Sequence, residues 1–194
     1  MRNFPHPLIL ASSSPHRKEL LIEAGYQFDV LPPLDSTECG ICTRETPPEM
    51  VARLAFQKAH DVAQRVENGI VVGCDTVAEC CGRILGKPRH REDAREMLRL
   101  LQRHHHHVYS GLCVWKRPRD NKLVRVAKSR LRMDPVTDTV LEDYLDSNAW
   151  QGKAGAFGLQ DRESWIHMVE GSESNVIGLP LELLETMLRQ IQQI

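Results

Sequence analysis

The chain has no charge excess of either sign: 25 Lys and Arg stand against 26 Asp and Glu, a formal net charge of -1. A general nucleic-acid binder needs a basic surplus to displace backbone counterions, so no nucleic-acid partner is expected. A small anion held by a few local cations is not excluded. No apolar run approaches the ~20 residues that span a bilayer, so no membrane partner is expected either. The opening MRNFPHPLIL holds less apolar chain than a cleaved export signal needs, and Leu8 to Ala11 reads instead as a buried strand. Internal repeats and low-complexity linkers are missing too. Six cysteines are present, but with no export signal and enough length for a core, reduced thiols in a cytoplasmic protein are the expectation. At 194 residues, 41% hydrophobic and 26% charged, the chain suits one domain over 1–194, with two lobes sharing a core, and wholesale disorder is excluded.

After the first strand, Ser14-Pro15 opens a helix that runs to Gly25, since Ser at the N-cap, Pro at the first helical position and Gly at the end are start and stop signals. Phe28 to Leu31 reads as a second strand, and Leu34 to Thr46 as a polar loop. Thr46 and Glu49 have capping-box spacing before a helix with Met50, Val51, Leu54, Ala55, Ala59 and Val62 on one stripe. Gly69 to Cys74 is a short buried strand, and Val77 to Leu85 a further one with a turn at Gly82-Arg83. A helix over 91–103, strands over 107–115 and 123–133, a helix over 140–145, a strand over 165–169 and a closing helix over 181–192 complete the reading. Strands interleaved with helices, some of them antiparallel neighbours, predict an α/β fold with a mixed sheet.

Four places carry possible chemistry. Ser12-Ser13-Ser14-Pro15-His16-Arg17 leads a strand into a helix N-terminus, where unpartnered N–H groups, hydroxyls and a guanidinium favour a phosphate. Arg17 is out of place for the helix dipole, which prefers acids in a first turn. Lys58 falls on or beside an apolar stripe, so it must snorkel outward or enter a polar cleft. Asp75 follows a hydrophobic strand, a position suited to holding a divalent metal or activating water. Lys87 and Lys153 each sit beside small residues that let a ligand approach closely. Taken singly, each has a plain structural reading: a cap, a solvated lysine or a turn-forming aspartate.

Together, LASSSPHR, ARLAFQKA, GCDTVAE, GRILGKP, HVYSG, GKAGAFGLQ and SNVIGLPL, in this order and across nearly the whole chain, resemble the Maf family of nucleoside triphosphate pyrophosphatases. The resemblance implies an elongated mixed sheet bent into two lobes around a central cleft, helices on its faces, similar to inosine triphosphatase. It also implies a cytoplasmic, often homodimeric house-cleaning hydrolase that uses Mg²⁺ or Mn²⁺ to split a nucleoside triphosphate into monophosphate and pyrophosphate. Carried over by motif, Ser12, Arg17, Lys58 and Lys87 would bind substrate, Asp75 would be the catalytic proton acceptor and a metal ligand, and Thr76 and Gln160 would bear on the base. Ser14 and Lys153 join the substrate-binding set from the residue reading.

Members acting on dTTP and UTP usually read Ser-Pro-Arg-Arg where this chain has His16, so His16 bears on base choice. The sister subfamily acting on 7-methyl-GTP has tryptophan there, and Ser-Glu in place of Leu159-Gln160. Thr76 and Gln160 therefore favour dTTP, UTP or a modified pyrimidine triphosphate, with 7-methyl-GTP as the alternative. A nucleotide-binding regulator of cell division with little turnover is the reading from another class. The metal-site glutamate of the family, counted from Gly25, would fall at Thr37, and Glu38 serves if the loop is one residue longer. Cys39-Gly40-Ile41-Cys42 has the spacing of two zinc ligands, which Cys80-Cys81 or a histidine would have to complete. No second CxxC does so, and two free thiols are the expectation. Of His104 to His107, His106 is expected to be structural and the others exposed.

Overall fold

The computed structural model describes residues 6–34, 45–161 and 163–194. Strands β1 (Leu8–Ala11), β2 (Asp29–Val30), β3 (Gly69–Cys80), β5 (His105–Arg117), β6 (Asn121–Met133) and β7 (Ile166–Glu170) form one sheet in the order β2-β1-β3-β5-β6-β7, with β4 (Arg83–Leu85) paired to β3. Both pairings of β1 are parallel and the rest are antiparallel, so the sheet is mixed. The helices are α1 (Pro15–Glu23), α2 (Pro47–Gln64), α3 (Arg91–Leu101), α4 (Asp138–Asp146), α5 (Glu173–Ile177) and α6 (Leu181–Gln193). None described is long and apolar enough to cross a membrane.

All four residues of β1 are buried because helices cover both faces of this part of the sheet, the situation that gives a continuous apolar run. On one face Leu8, Leu10, Ile70 and Val72 pack against Leu20 and Leu21 of α1 and Leu184, Met187 and Leu188 of α6. On the other, Ile9, Ala11, Val71 and Trp115 pack against Ala55, Ala59, Val62 and Ala63 of α2. A separate core holds Leu85, Ala94, Leu98, Leu101, Leu141, Tyr144, Trp150, Phe157 and Trp165, drawn from β4, α3, α4 and the chain after it. These cores define two lobes that share the long strands β3, β5 and β6, with a cleft between them.

Most element ends shift by one to a few residues from the sequence reading, and one difference matters. The strand over 69–74 and the one from Val77 are a single strand, β3, whose pairing with β5 runs unbroken from Gly69↔Arg117 to Glu79↔His107. Asp75 is therefore inside a strand and not at its end. The sequence shows a break because the apolar run stops at Cys74, but antiparallel pairing to β5 carries the backbone on. The parallel partner β1 does stop here, its last pair being Ala11↔Gly73, so Asp75 and Thr76 project just past the carboxyl end of β1. Within 104–107, His106 is fully buried as expected and His104 and His105 are exposed, whereas His107 is half-buried. Its ring approaches Glu79 at 3.2 Å across the β3–β5 pair.

Helix α2 starts where Glu49 accepts hydrogen bonds from the Thr46 N–H at 2.9 Å and its hydroxyl at 2.7 Å. It lies on the sheet at backbone contact. A Cβ added at Gly73 would fall 2.4 Å from the Ala55 carbonyl oxygen, and one at Gly111 would fall 2.0 Å from that of Val51. Neither glycine has a positive φ, so here it is the missing side chain, not backbone freedom, that the fold requires. Gly111→Ala is expected to push α2 off the sheet and lower stability by about 1–3 kcal/mol or more, read as a reduced urea midpoint. An unchanged midpoint would mean that the helix seats farther out.

Candidate active site

Side-chain alternation along β3 builds the site. Val71, Gly73 and Asp75 face α2, while Val72, Cys74 and Thr76 face α1 and α6. Lys58, buried on the sheet-facing side of α2, donates from Nζ to Asp75 Oδ1 at 2.6 Å, with the two side chains 8% and 14% exposed. The sequence left open whether Lys58 snorkels or enters a cleft, and it enters the cleft. Asp75 Oδ2 takes no hydrogen bond among the described residues.

On the opposite face Arg17 is fixed by three partners. Its Nε donates to the Gly178 carbonyl oxygen at 2.8 Å, Nη1 to Ser12 Oγ at 3.2 Å, and Nη2 to Thr76 Oγ1 at 3.4 Å. Ser12 Oγ also accepts the Ser14 N–H at 3.2 Å. Ser14 occupies the N-cap position of α1, but its hydroxyl makes no capping bond. The N-cap position is the one the sequence marked; Ser12 serves the turn, and Ser14 lines both cavities of the cleft. Arg17 in the first turn is explained by its carbonyl and hydroxyl acceptors, which outweigh the opposing dipole.

The cleft comprises two adjoining cavities. Ser14, His16, Arg17, Lys87 and Gly152 line both; Lys58, Ser12 and Ser13 line the second, and Thr76, Lys153, Phe157 and Gln160 line the first. No acidic residue is among the described residues that line either. The two nearby carboxylates stand behind lysines: Asp75 is paired to Lys58, and Asp161 is paired to Lys153 while accepting from Tyr144 at 2.9 Å. Positive charge thus faces the space. His16 leans on Glu19, with Nδ1 3.4 Å from its carboxylate. Gln160 Oε1 is buried with no hydrogen-bond partner among the described residues, and Gln160 lines the first cavity.

Sequence reasoning brought Ser12, Ser14, His16, Arg17, Lys58, Asp75, Thr76, Lys87, Lys153 and Gln160 to this region, and the structure gathers them. Glu38, Cys39 and Cys42 lie outside the described residues. Missed were Ser110, Asn175, Asp161 and the Gly178 carbonyl. Ser110, fully buried, contacts Thr76 Oγ1 at 2.8 Å and donates to the Asn175 carbonyl at 3.2 Å. Asn175, also fully buried, donates to Val108 O at 3.2 Å and Ser129 Oγ at 2.9 Å. A buried polar triplet from three distant segments leaves no local signal in one sequence.

Asp75 is the described carboxylate to test against a divalent metal. Its free Oδ2 offers one hard oxygen ligand, and Mg²⁺ is commonly bound by one or two carboxylates with substrate phosphates and waters completing its shell. The donor set fits such an ion.

A cationic cleft with a helix N-terminus at its floor and a carboxylate paired to one of its lysines, on an α/β fold, is an arrangement suited to a polyanion. The particular family follows from comparison: residues 7–191 match the Maf-like protein family, and the chain belongs to it. A dTTP/UTP pyrophosphatase of Rhodopirellula baltica is 53% identical over 190 residues, covering 97% of this chain and 84% of that one. Proteins of the same name from Dictyoglomus thermophilum (37% identical, 95% of each chain) and Pelotomaculum thermopropionicum (40%, covering 94% and 95%) are also similar. A solved nucleoside-triphosphatase / dITP/XTP pyrophosphatase of Mycobacterium abscessus overlaps 66% of this chain and 74% of its own at 14% identity and a TM-score of 0.41, too loosely to bear on this one.

Because Ser110 joins Thr76 to the α5 segment, Ser110→Ala is expected to cost about 1–3 kcal/mol by leaving a buried carbonyl without its donor. Chemical denaturation measures it; no change would mean that water replaces the hydroxyl.

Proposed function

We propose that this chain hydrolyses a nucleoside triphosphate to the monophosphate and pyrophosphate, with dTTP, UTP or a modified pyrimidine triphosphate as substrate and a divalent cation as cofactor. The observation that carries the reading is the convergence of Arg17, Lys58, Lys87 and Lys153 on one cleft, with Asp75 directly behind Lys58. The names of the relatives support the substrate class.

A triphosphate carries about four negative charges, and these repel an attacking water unless cations cover them. Arg17, held rigid by Ser12, Thr76 and Gly178, and the α1 N-terminus would take one end of the phosphate chain, with Lys87 above it. Lys58 has two demands on it. While the cleft is empty its ammonium is bound by Asp75; phosphate oxygens would compete for that ammonium and release the carboxylate to orient and deprotonate water. Bound at Asp75, Mg²⁺ or Mn²⁺ would supply further charge neutralisation on the phosphates. Lys153, anchored by Asp161, would steady the nucleotide from the other lobe. Gln160, whose Oε1 has no partner among the described residues, would accept the ring N–H of a pyrimidine, while Phe157 offers the base an apolar wall.

Assaying dTTP, UTP, 7-methyl-GTP and the common purine triphosphates with Mg²⁺ or Mn²⁺, with the products identified, tests this. Pyrophosphate and monophosphate are expected, fastest from a pyrimidine nucleotide, and Asp75→Asn should lower kcat by roughly 10²–10⁴-fold while nucleotide still binds. Orthophosphate as first product would overturn the cleavage assigned, and faster turnover of 7-methyl-GTP would overturn the base. Binding with no turnover of any triphosphate would favour a regulator.

A further inference from the structure

The β3–β4 turn and the turn before β5 meet on the lobe built around α3, and neither lines the phosphate cleft. There the sulfurs of Cys80 and Cys81 lie 3.8 Å apart, and with a ring nitrogen of His104 they form a set of ligand atoms all within 4.8 Å of one another. We propose that Cys80, Cys81 and His104 bind a thiophilic divalent cation of the zinc class, separate from any cation at Asp75.

The sulfur spacing is what points to a metal. Two thiolates bound tetrahedrally at about 2.3 Å stand about 3.8 Å apart, whereas a disulfide would need about 2.05 Å. Cys81 also sits where a cysteine is not expected on structural grounds. It and Gly82 form the two-residue turn between β3 and β4, both with positive φ (52° and 77°), a geometry that favours Asn-Gly. The strained residue presents its sulfur to that of Cys80. His104 Nδ1 lies 2.9 Å from the Leu100 carbonyl oxygen; with its proton there, Nε2 keeps a lone pair, the arrangement that orients metal-ligating histidines.

Cys80 is buried while Cys81 and His104 are exposed, so an ion can enter from solvent. Three ligands leave a fourth position for water or an outside donor. Burial pushes the Cys80 thiol up to about 12, and a thiol proton leaves to solvent as each sulfur–metal bond forms. Mg²⁺ and Mn²⁺ prefer oxygen ligands and would not compete. An ion there would clip the hairpin that leads into Lys87 to the start of β5.

The test is titration of the reduced full chain with Co²⁺ followed by Zn²⁺. One equivalent of Co²⁺ should give a thiolate-to-cobalt charge-transfer band and tetrahedral visible bands, which Zn²⁺ abolishes. Cys81→Asn, which suits the turn and so keeps the fold, should lose the band and bind Zn²⁺ on the order of 100-fold more weakly; His104→Gln should also weaken binding. Unchanged binding by Cys81→Asn would overturn the proposal. So would a band that disappears in Cys39→Ser with Cys80 and Cys81 intact, an absence of binding by the wild-type chain, or a mass two hydrogens lighter showing the pair joined as a disulfide.

Discussion

Everything in the cleft depends on how closely α2 lies against β3 and β5. Gly73 and Gly111 leave the sheet bare at two points, and the helix backbone fills them. That seating sets the height of Lys58 above the sheet, and it is why a lysine on a largely apolar stripe meets Asp75 at 2.6 Å instead of reaching for solvent. Burying a charge is tolerated only with a partner, so the pair and the helix position support each other.

The strand that carries Asp75 also solves a problem of access. Consecutive residues of a strand face opposite ways, so Asp75 and Thr76 serve two faces of one sheet. They can act on a single ligand because β1 ends beside Gly73, opening a gap through which both faces are reached. Arg17 spans that gap from α1, and the Gly178 carbonyl holds it there against the dipole of its own helix. On the far wall, Lys153 is fixed through Asp161 and Tyr144. Arg17, Lys58 and Lys153 are thus positioned by groups behind them, which leaves their charge directed inward.

Much of this was legible in the sequence. Apolar spacing located α2, the Thr46–Glu49 spacing marked a helix start that Glu49 does cap, and the ordered motifs resembled one family across the chain. What escaped had physical causes. The unbroken course of β3 through Asp75 depends on pairing with β5, a partner thirty-odd residues away in the chain, and no local pattern encodes it. The role of Gly73 and Gly111 is steric and needs the helix in place to be seen. Ser110 and Asn175 satisfy each other's segments out of reach of water, a relation that exists only after folding. Ser14 holds the N-cap position that the sequence marked without its hydroxyl capping the helix, a detail of side-chain geometry that no sequence pattern carries.

The coupling between Lys58 and Asp75 is the central claim, and a double-mutant cycle on kcat/KM for pyrophosphate release measures it directly. If the two side chains act as one unit, Lys58→Met combined with Asp75→Asn should be no slower than the worse single variant. Losses that multiply in the double variant would show two independent groups and would contradict the account.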